Sequence, residues 1–288
     1  MSFHKILCPL CLSEHPRSAM TTAVRLTVAL DAELVIADTW SMPPMALAGD
    51  VGAFPPESLL AFADREQREL ALIVNECKKA GVEKVSSRLV VGTPSAEVLT
   101  MLDSDPGIDL VVVGIEDTNR YGGPLLPGPI KRVLRRSPCS VLVAHPPPLA
   151  AKFENILCPI DFSATSSAAL TIASELADPD GTITLLHVTE VSLLAAASPQ
   201  PEPLQHDAQA VDMLERWAED LRARTKADVT TVARMGRPST EILDELRVGS
   251  FDLVVLGAYR PASQRLGTVS AKILRHATCP VLLAHPRN

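Results

Sequence analysis

Ile6-Leu7-Cys8-Pro9-Leu10 returns 150 residues later as Ile156-Leu157-Cys158-Pro159-Ile160. An apolar run closed by proline and met twice makes a tandem repeat the first question to ask of the chain. Working outward, three more landmarks recur in the same order. Gly92-Thr93-Pro94-Ser95 answers to Gly236-Arg237-Pro238-Ser239, and Asp109-Leu110-Val111-Val112-Val113-Gly114 to Asp252-Leu253-Val254-Val255-Leu256-Gly257. Val141-Leu142-Val143-Ala144-His145-Pro146 answers to Val281-Leu282-Leu283-Ala284-His285-Pro286. The chain therefore reads as two copies, 1–146 and 152–288, joined by the proline-rich stretch 146–151, whose composition makes a short stiff linker.

Within each copy, apolar runs alternate with helical patterns. Runs such as 110–113 and 253–256, each closed by glycine, suit strands covered on both faces, and hence a parallel sheet. Strands are expected near 4–8, 33–37, 84–91, 109–113 and 140–144, and again near 154–158, 182–187, 228–233, 252–256 and 281–285. Between them Leu70, Ile73, Val74 and Cys77 keep helical spacing, with Gly81 after two lysines as a stop signal; Leu214, Ala218 and Leu221 do the same in the second copy. Strands alternating with helices predict an α/β fold of two doubly wound domains, helices on both faces of each sheet. Such sheets bind ligands beyond the carboxyl ends of their strands, where the strand order reverses. Long loops are expected at 41–56 and 190–206.

The 288 residues suit two domains, and 47% hydrophobic residues suffice for two cores. A net charge of −7 with only two Trp and two Tyr argues against nucleic acid, which needs a basic face and stacking rings. No apolar run reaches the roughly 20 residues of a membrane helix, and residues 1–5 lead straight into a strand without a signal-peptide pattern. A cytoplasmic protein with no membrane partner is expected, its six cysteines free thiols.

Two loops of the second copy carry the candidate chemistry. The first strand ends in Cys158-Pro159-Ile160-Asp161-Phe162-Ser163. Asp161 there accepts hydrogen bonds from a ribose or base, or else caps the following helix as Ser163 does; the two roles are compatible. Beyond Gly257 come Arg260 and then Arg265-Leu266-Gly267-Thr268-Val269-Ser270, running into a helical pattern. Gly267 and Thr268 at a helix N-terminus offer N–H groups and a hydroxyl to an anion, and Arg260 or Arg265 adds charge; a plain turn and cap reads the same residues as well. The first copy departs from this pattern. Cys11 stands where the second has Asp161, Pro127 and Gly128 stand opposite Gly267 and Thr268, and Glu116 and Asp117 follow the fourth strand. Proline supplies no N–H, and each lost hydrogen bond to a charged group costs about 1.5–3 kcal/mol, so this copy is not expected to bind a nucleotide in the same way.

Ile-Leu-Cys-Pro-Ile-Asp-Phe-Ser at 156–163, Leu-Leu-His-Val at 185–188, Gly-Arg-Pro-Ser at 236–239, Gly-Thr-Val-Ser at 267–270 and Arg-His-Ala-Thr-Cys-Pro-Val-Leu at 275–282 together resemble the universal stress protein family in its tandem form. The resemblance implies a five-stranded parallel sheet of order 3-2-1-4-5 in each copy. It implies pairing of the copies through 141–145 and 281–285, with a homodimer left open. It also implies ATP or AMP, with Mg²⁺, as the ligand. Asp161 and the backbone near Pro159 and Val188 would hold the adenosine; Leu256, Gly257, Gly267, Thr268 and Val269 would line the phosphate side, with Arg265 near it. The family's Gly-x2-Gly-x9-Gly-Ser/Thr pattern is broken here: Arg260 takes the second glycine's place and only six residues, 261–266, precede Gly267. The function implied is a stress-response protein that binds a nucleotide and signals. A nucleotide-independent dimeric scaffold and a slow ATPase remain as alternatives, and no catalytic residue is identified.

Other constellations are weaker. Cys8, Cys11 and His15 lack the fourth ligand of a structural zinc site, and Cys8 has its counterpart Cys158 in a strand, so packing accounts for it. Cys139 and Cys279 read as core thiols, His187 as a buried, satisfied histidine, and Lys131, Arg132, Arg135 and Arg136 as a solvated helix face or a docking patch.

Overall fold

The computed structural model describes residues 3–12, 16–40, 56–115, 126–145, 153–190, 203–258 and 266–286. The linker 146–151, the loop 41–55 and the segment containing Arg260 and Arg265 lie outside the described residues, as do His15, Glu116 and Asp117.

The first copy runs β1 (Lys5–Pro9), a 3₁₀ turn (Leu10–Leu12), α1 (Pro16–Leu30), β2 (Glu33–Trp40), α2 (Pro56–Lys79), β3 (Lys84–Val91), α3 (Pro94–Ser104), β4 (Leu110–Gly114), α4 (Gly128–Arg136) and β5 (Ser140–Ala144). The second runs β6 (Phe153–Ile160), α5 (Ala164–Leu176), β7 (Ala177–Glu190), α6 (Pro203–Arg222), β8 (Asp228–Gly236), α7 (Pro238–Val248), β9 (Leu253–Gly257), α8 (Thr268–His276) and β10 (Val281–Ala284). All ten expected strands form, several longer than expected. One expectation is corrected: helix α6 begins at Pro203, so 190–206 is not loop throughout.

The strands make one ten-stranded sheet of order β3-β2-β1-β4-β5-β10-β9-β6-β7-β8. Each half is parallel with the order 3-2-1-4-5. The halves meet where β5 and β10 pair antiparallel, Val141 with Leu283, Leu142 with Leu282 and Val143 with Val281. The expected contact between 141–145 and 281–285 is therefore made within the chain.

Side chains alternate across a strand, and here the alternation divides the interior into two layers. Ile6, Cys8, Leu142, Ile156, Cys158 and Leu282 face the layer covered by α1, α2, α5 and α6. Leu7, Val141, Val143, Leu157, Val254 and Leu283 face the layer covered by α3, α4, α7 and α8. Both layers run through the β5–β10 seam, so the two copies share their cores.

The repeat extends to polar anchoring. Asp109 accepts the N–H groups of His4 and Lys5 at 2.8 and 3.2 Å, and Asp252 those of Glu154 and Asn155 at 2.7 and 3.2 Å. Each carboxylate ties the fourth strand of its copy to the start of the first. At the far ends of β3 and β8, Gly92 and Gly236 adopt φ of 153° and 148°, and in each copy the glutamate five residues on, Glu97 or Glu241, folds over the glycine. A side chain at either place would meet both a conformational penalty and that carboxylate.

Candidate functional site

A cleft of about 350 Å³ opens at the carboxyl ends of β6, β7 and β9, where the strand order of the second copy reverses. Strand β6 delivers Pro159 and Asp161 to it, β7 delivers Val188, and β9 delivers Leu256 and Gly257. The first turn of α8 contributes Thr268 and Val269, with Gly267 before them. Eight of the nine expected site residues thus line one cavity; the ninth, Arg265, lies outside the described residues. The cavity also takes in Ile160, Thr165, Ser166, Leu186, Pro238 and Ile242, which the sequence reading did not single out. Two of these carried a signal: Leu186 stands two residues before Val188 on the same face of β7, and Pro238 belongs to the repeated Gly-x-Pro-Ser landmark.

Asp161 is held by the start of α5. The N–H of Ser163 donates to its Oδ1 at 3.1 Å and the Ser166 hydroxyl donates to the same oxygen at 2.6 Å, while the N–H of Asp161 donates back to Ser166 Oγ at 3.1 Å. Ser163 is the cap of α5, accepting from the N–H of Ser166. Partial burial pushes the Asp161 carboxyl up, but the hydrogen bonds from Ser163 and Ser166 outweigh it and hold the group below the usual carboxylate value. Capping and cleft-lining are combined in one residue.

Phe162 next to it has φ of 60°. That turn carries its ring to the opposite layer, where it lies 4.4 Å from the ring of His187 and 5.6 Å, edge-on, from Trp217. His187 is half-buried rather than buried, and its Nδ1 is 3.0 Å from the carbonyl of Ile160. The aromatic contacts fix the course of the loop and leave Asp161 at the cleft.

The other wall is the N-terminus of α8. Its cap is Gly267, with no side chain to accept the first-turn N–H groups, so those donors and the helix dipole face the cleft. Gly257 is fixed by close packing. A Cβ there would lie 2.7 Å from the carbonyl carbon of Thr165 at the start of α5. The described lining thus carries one carboxylate, hydroxyls from Thr165, Ser166, Thr268 and Ser270, and uncapped amides of α8, together with apolar side chains. This donor set suits a ligand with hydroxyls or an amine at one end and an anion at the other.

The first copy places different residues at the same positions. After β1 the chain winds into the 3₁₀ turn, and the Cys11 thiol donates to Thr39 Oγ1 at 3.0 Å. Thr39 lies two residues beyond the β2 partner of Pro9, as Val188 lies two beyond the β7 partner of Pro159. The two positions that face the cleft in the second copy are tied to each other in the first, and Cys11 packs on the α3–α4 layer. The cap of α4 is Pro127, Pro129 lies in its first turn, and the counterpart of Ser270 is the fully buried Ile130. Cys8 is fully buried in the opposite layer, its thiol pushed far up by burial. Strand packing thus accounts for Cys8. Cys279 is buried as expected of a core thiol, whereas Cys139 is only half-buried.

Comparison with known proteins agrees with this architecture. The sequence model of the universal stress protein family matches twice, over residues 2–145 and 152–285. The chain belongs to the universal stress protein family. A universal stress protein of Mycobacterium tuberculosis is 27% identical over 267 residues, covering 87% of this chain and 85% of the relative. The crystal structure of a universal stress protein from Archaeoglobus fulgidus superposes with a TM-score of 0.74 at 16% identity, covering 99% of both chains. Another universal stress protein, solved in complex with cAMP, is 21% identical over 50% of this chain with a TM-score of 0.35, a level that says nothing about the ligand here. Among the described residues of this family member, no helix is long and apolar enough to cross a membrane.

Proposed function

We propose that this universal stress protein binds an adenine nucleotide, ATP or AMP, in the cleft of its second copy and acts by binding and signalling in a stress response in the cytoplasm. One observation carries the reading. The Asp161 carboxylate and the uncapped first turn of α8 line one cavity of about 350 Å³, within the usual range for small-molecule sites. Asp161 and the backbone near Pro159 and Val188 would take the adenosine, and Gly257, Gly267, Thr268 and Val269 the phosphate side. Mg²⁺, where it accompanies the nucleotide, would neutralise phosphate charge that the described lining, which holds no Lys or Arg, does not.

Titration calorimetry with ATP, ADP and AMP tests the reading. Binding to the parent protein, weakened at least tenfold by Asp161→Ala, is the expected result; no heat with any of the three overturns it. A second reading, a scaffold independent of nucleotide, is favoured by the Cys11–Thr39 closure in the first copy. It predicts that Gly267→Trp, which fills the cleft, leaves stress survival unchanged.

A further inference from the structure

Away from the nucleotide cleft, α7 and α8 enclose a second depression, also of about 350 Å³, on the outer surface of the second copy. Leu243 and Leu246 line it along with Arg247, Lys272 and His276. Among the described residues, Arg247 is ion-paired with Asp244 on the same rim and Lys272 is not ion-paired. Helix α8, Thr268–His276, contains no acidic residue, and two of the three carboxylates of α7 are engaged elsewhere. Glu241 folds over Gly236, Glu245 pairs with Arg234 at 2.8 Å, and Asp244, itself at the rim, pairs with Arg247 at 2.9 Å. That last pair is exposed and of low worth, so Arg247 can exchange it for a partner's carboxylate. Among the described residues, Lys272 has only the Thr240 hydroxyl, at 3.4 Å.

The positive surface continues across the seam. Helix α4, Gly128–Arg136, also lacks acidic residues and carries Lys131, Arg132, Arg135 and Arg136. It covers the same layer of the core as α8. The two helices flank the β5–β10 pair. The depression, with Arg247 and Lys272, and the basic helix α4 thus lie on the same layer of a chain whose net charge is −7.

We propose that this groove docks an acidic, leucine-bearing peptide segment of a partner protein, with carboxylates on Arg247, Lys272 and His276 and an apolar side chain on Leu243 and Leu246. A bilayer is flat and does not reach the floor of such a depression. A nucleic acid duplex would bring a long run of phosphates against the rest of an acidic surface.

The test is fluorescence anisotropy of a fluorescein-labelled peptide of alternating Glu and Leu residues with the full chain. Binding that weakens with salt, and at least tenfold in an Arg247→Glu/Lys272→Glu variant, is expected; Lys272→Arg should bind as the parent does. Lys78→Glu/Lys79→Glu, at the end of α2 on the opposite layer, should bind as the parent and serves as the charge-matched control. Both substituted sites of the groove are on the surface, and an unchanged thermal melt checks that the fold is kept; should it shift, Lys272→Gln alone replaces the double variant. The proposal is overturned if the groove variant binds like the parent, or if the α2 variant loses as much. It is equally overturned if a Glu and Ser peptide binds as tightly, or if phosphatidylserine vesicles or duplex DNA compete at equal concentration.

Discussion

After the second copy's first strand the chain turns on Phe162 at φ of 60°, sends a ring to one side of the sheet and leaves a carboxylate on the other. After the first copy's first strand the corresponding residues wind into a 3₁₀ turn and put a thiol onto a threonine. The strands beneath are nearly the same, so the difference lies in what can anchor the loop. Phe162, His187 and Trp217 form a cluster of rings; their counterparts by repeat and register are Leu12, Asp38 and Ile73. Asp161 has Ser166 to satisfy it, whereas the matching position in the first copy is Pro16, which has neither a hydroxyl nor an N–H. The two copies therefore differ in what stands behind this loop as well as in the residues it presents.

The sharpest way to break this comparison is to transplant the carboxylate. Cys11→Asp should not create a second site. It should destabilise the first copy by about 3 kcal/mol at neutral pH, because a half-buried charge would stand beside Asp38 with the Thr39 hydroxyl in place of the donors that Ser163 and Ser166 give Asp161. Burial already pushes the Asp38 carboxyl up, helped by Glu66 and Glu69. The new carboxyl would likewise have a raised pKa, so the penalty is complete above the folded value, fades as the pH falls towards the unfolded one, about 3.9, and is gone below it. Urea unfolding at neutral and acid pH measures this; a variant as stable as the parent, or one with a second nucleotide equivalent, contradicts the account.

Gly257→Ala probes the packing between β9 and α5. Its Cβ would press on the Thr165 backbone, so the start of α5 must shift, at about 2 kcal/mol, and Asp161 with it. Loss of stability together with nucleotide affinity is expected; unchanged values of both would mean that α5 is not held there. Phe162→Leu tests the anchor itself. It should cost about 1 kcal/mol of aromatic contact and lower nucleotide affinity while leaving every cleft-lining side chain in place. Equal affinity would remove the rings from the explanation.

How far these features were legible in the sequence differs between fold and site. The fold was legible almost throughout, because runs such as 110–113 and 253–256 are buried on both faces and must be continuously apolar, a local property of the sequence. Gly267 and Asp161 were legible as loop residues beside a strand or a helix start. The Cys11–Thr39 closure was not, since it joins residues 28 apart whose meeting depends on the β1–β2 register. The ring cluster was hidden for the same reason: Trp217 reads as one more apolar position of α6 until the turn at Phe162 reaches it. Long-range contacts between loops leave no period in a sequence.

The smallest expected effect concerns charge at the cleft. The hydrogen bonds from Ser163 and Ser166 hold the Asp161 carboxyl below its ordinary value despite partial burial. A depressed pKa gives stability that is complete above the unfolded value and is lost as the pH falls through the folded one. The group is exposed, so solvent screening reduces that contribution to well under about 1 kcal/mol. Asp161→Asn keeps an acceptor for the Ser163 N–H but removes the charge. Its unfolding midpoint should therefore fall slightly short of the parent's at neutral pH and converge with it below the folded pKa. The ratio of parent to variant nucleotide affinity should stay level, with the variant weaker, from neutral pH down to the ordinary carboxylate range, since the phosphate's own titration at about pH 6 is common to both. If parent and variant bind alike at neutral pH, the carboxylate serves α5 alone, and the cleft distinguishes the copies by shape rather than by charge.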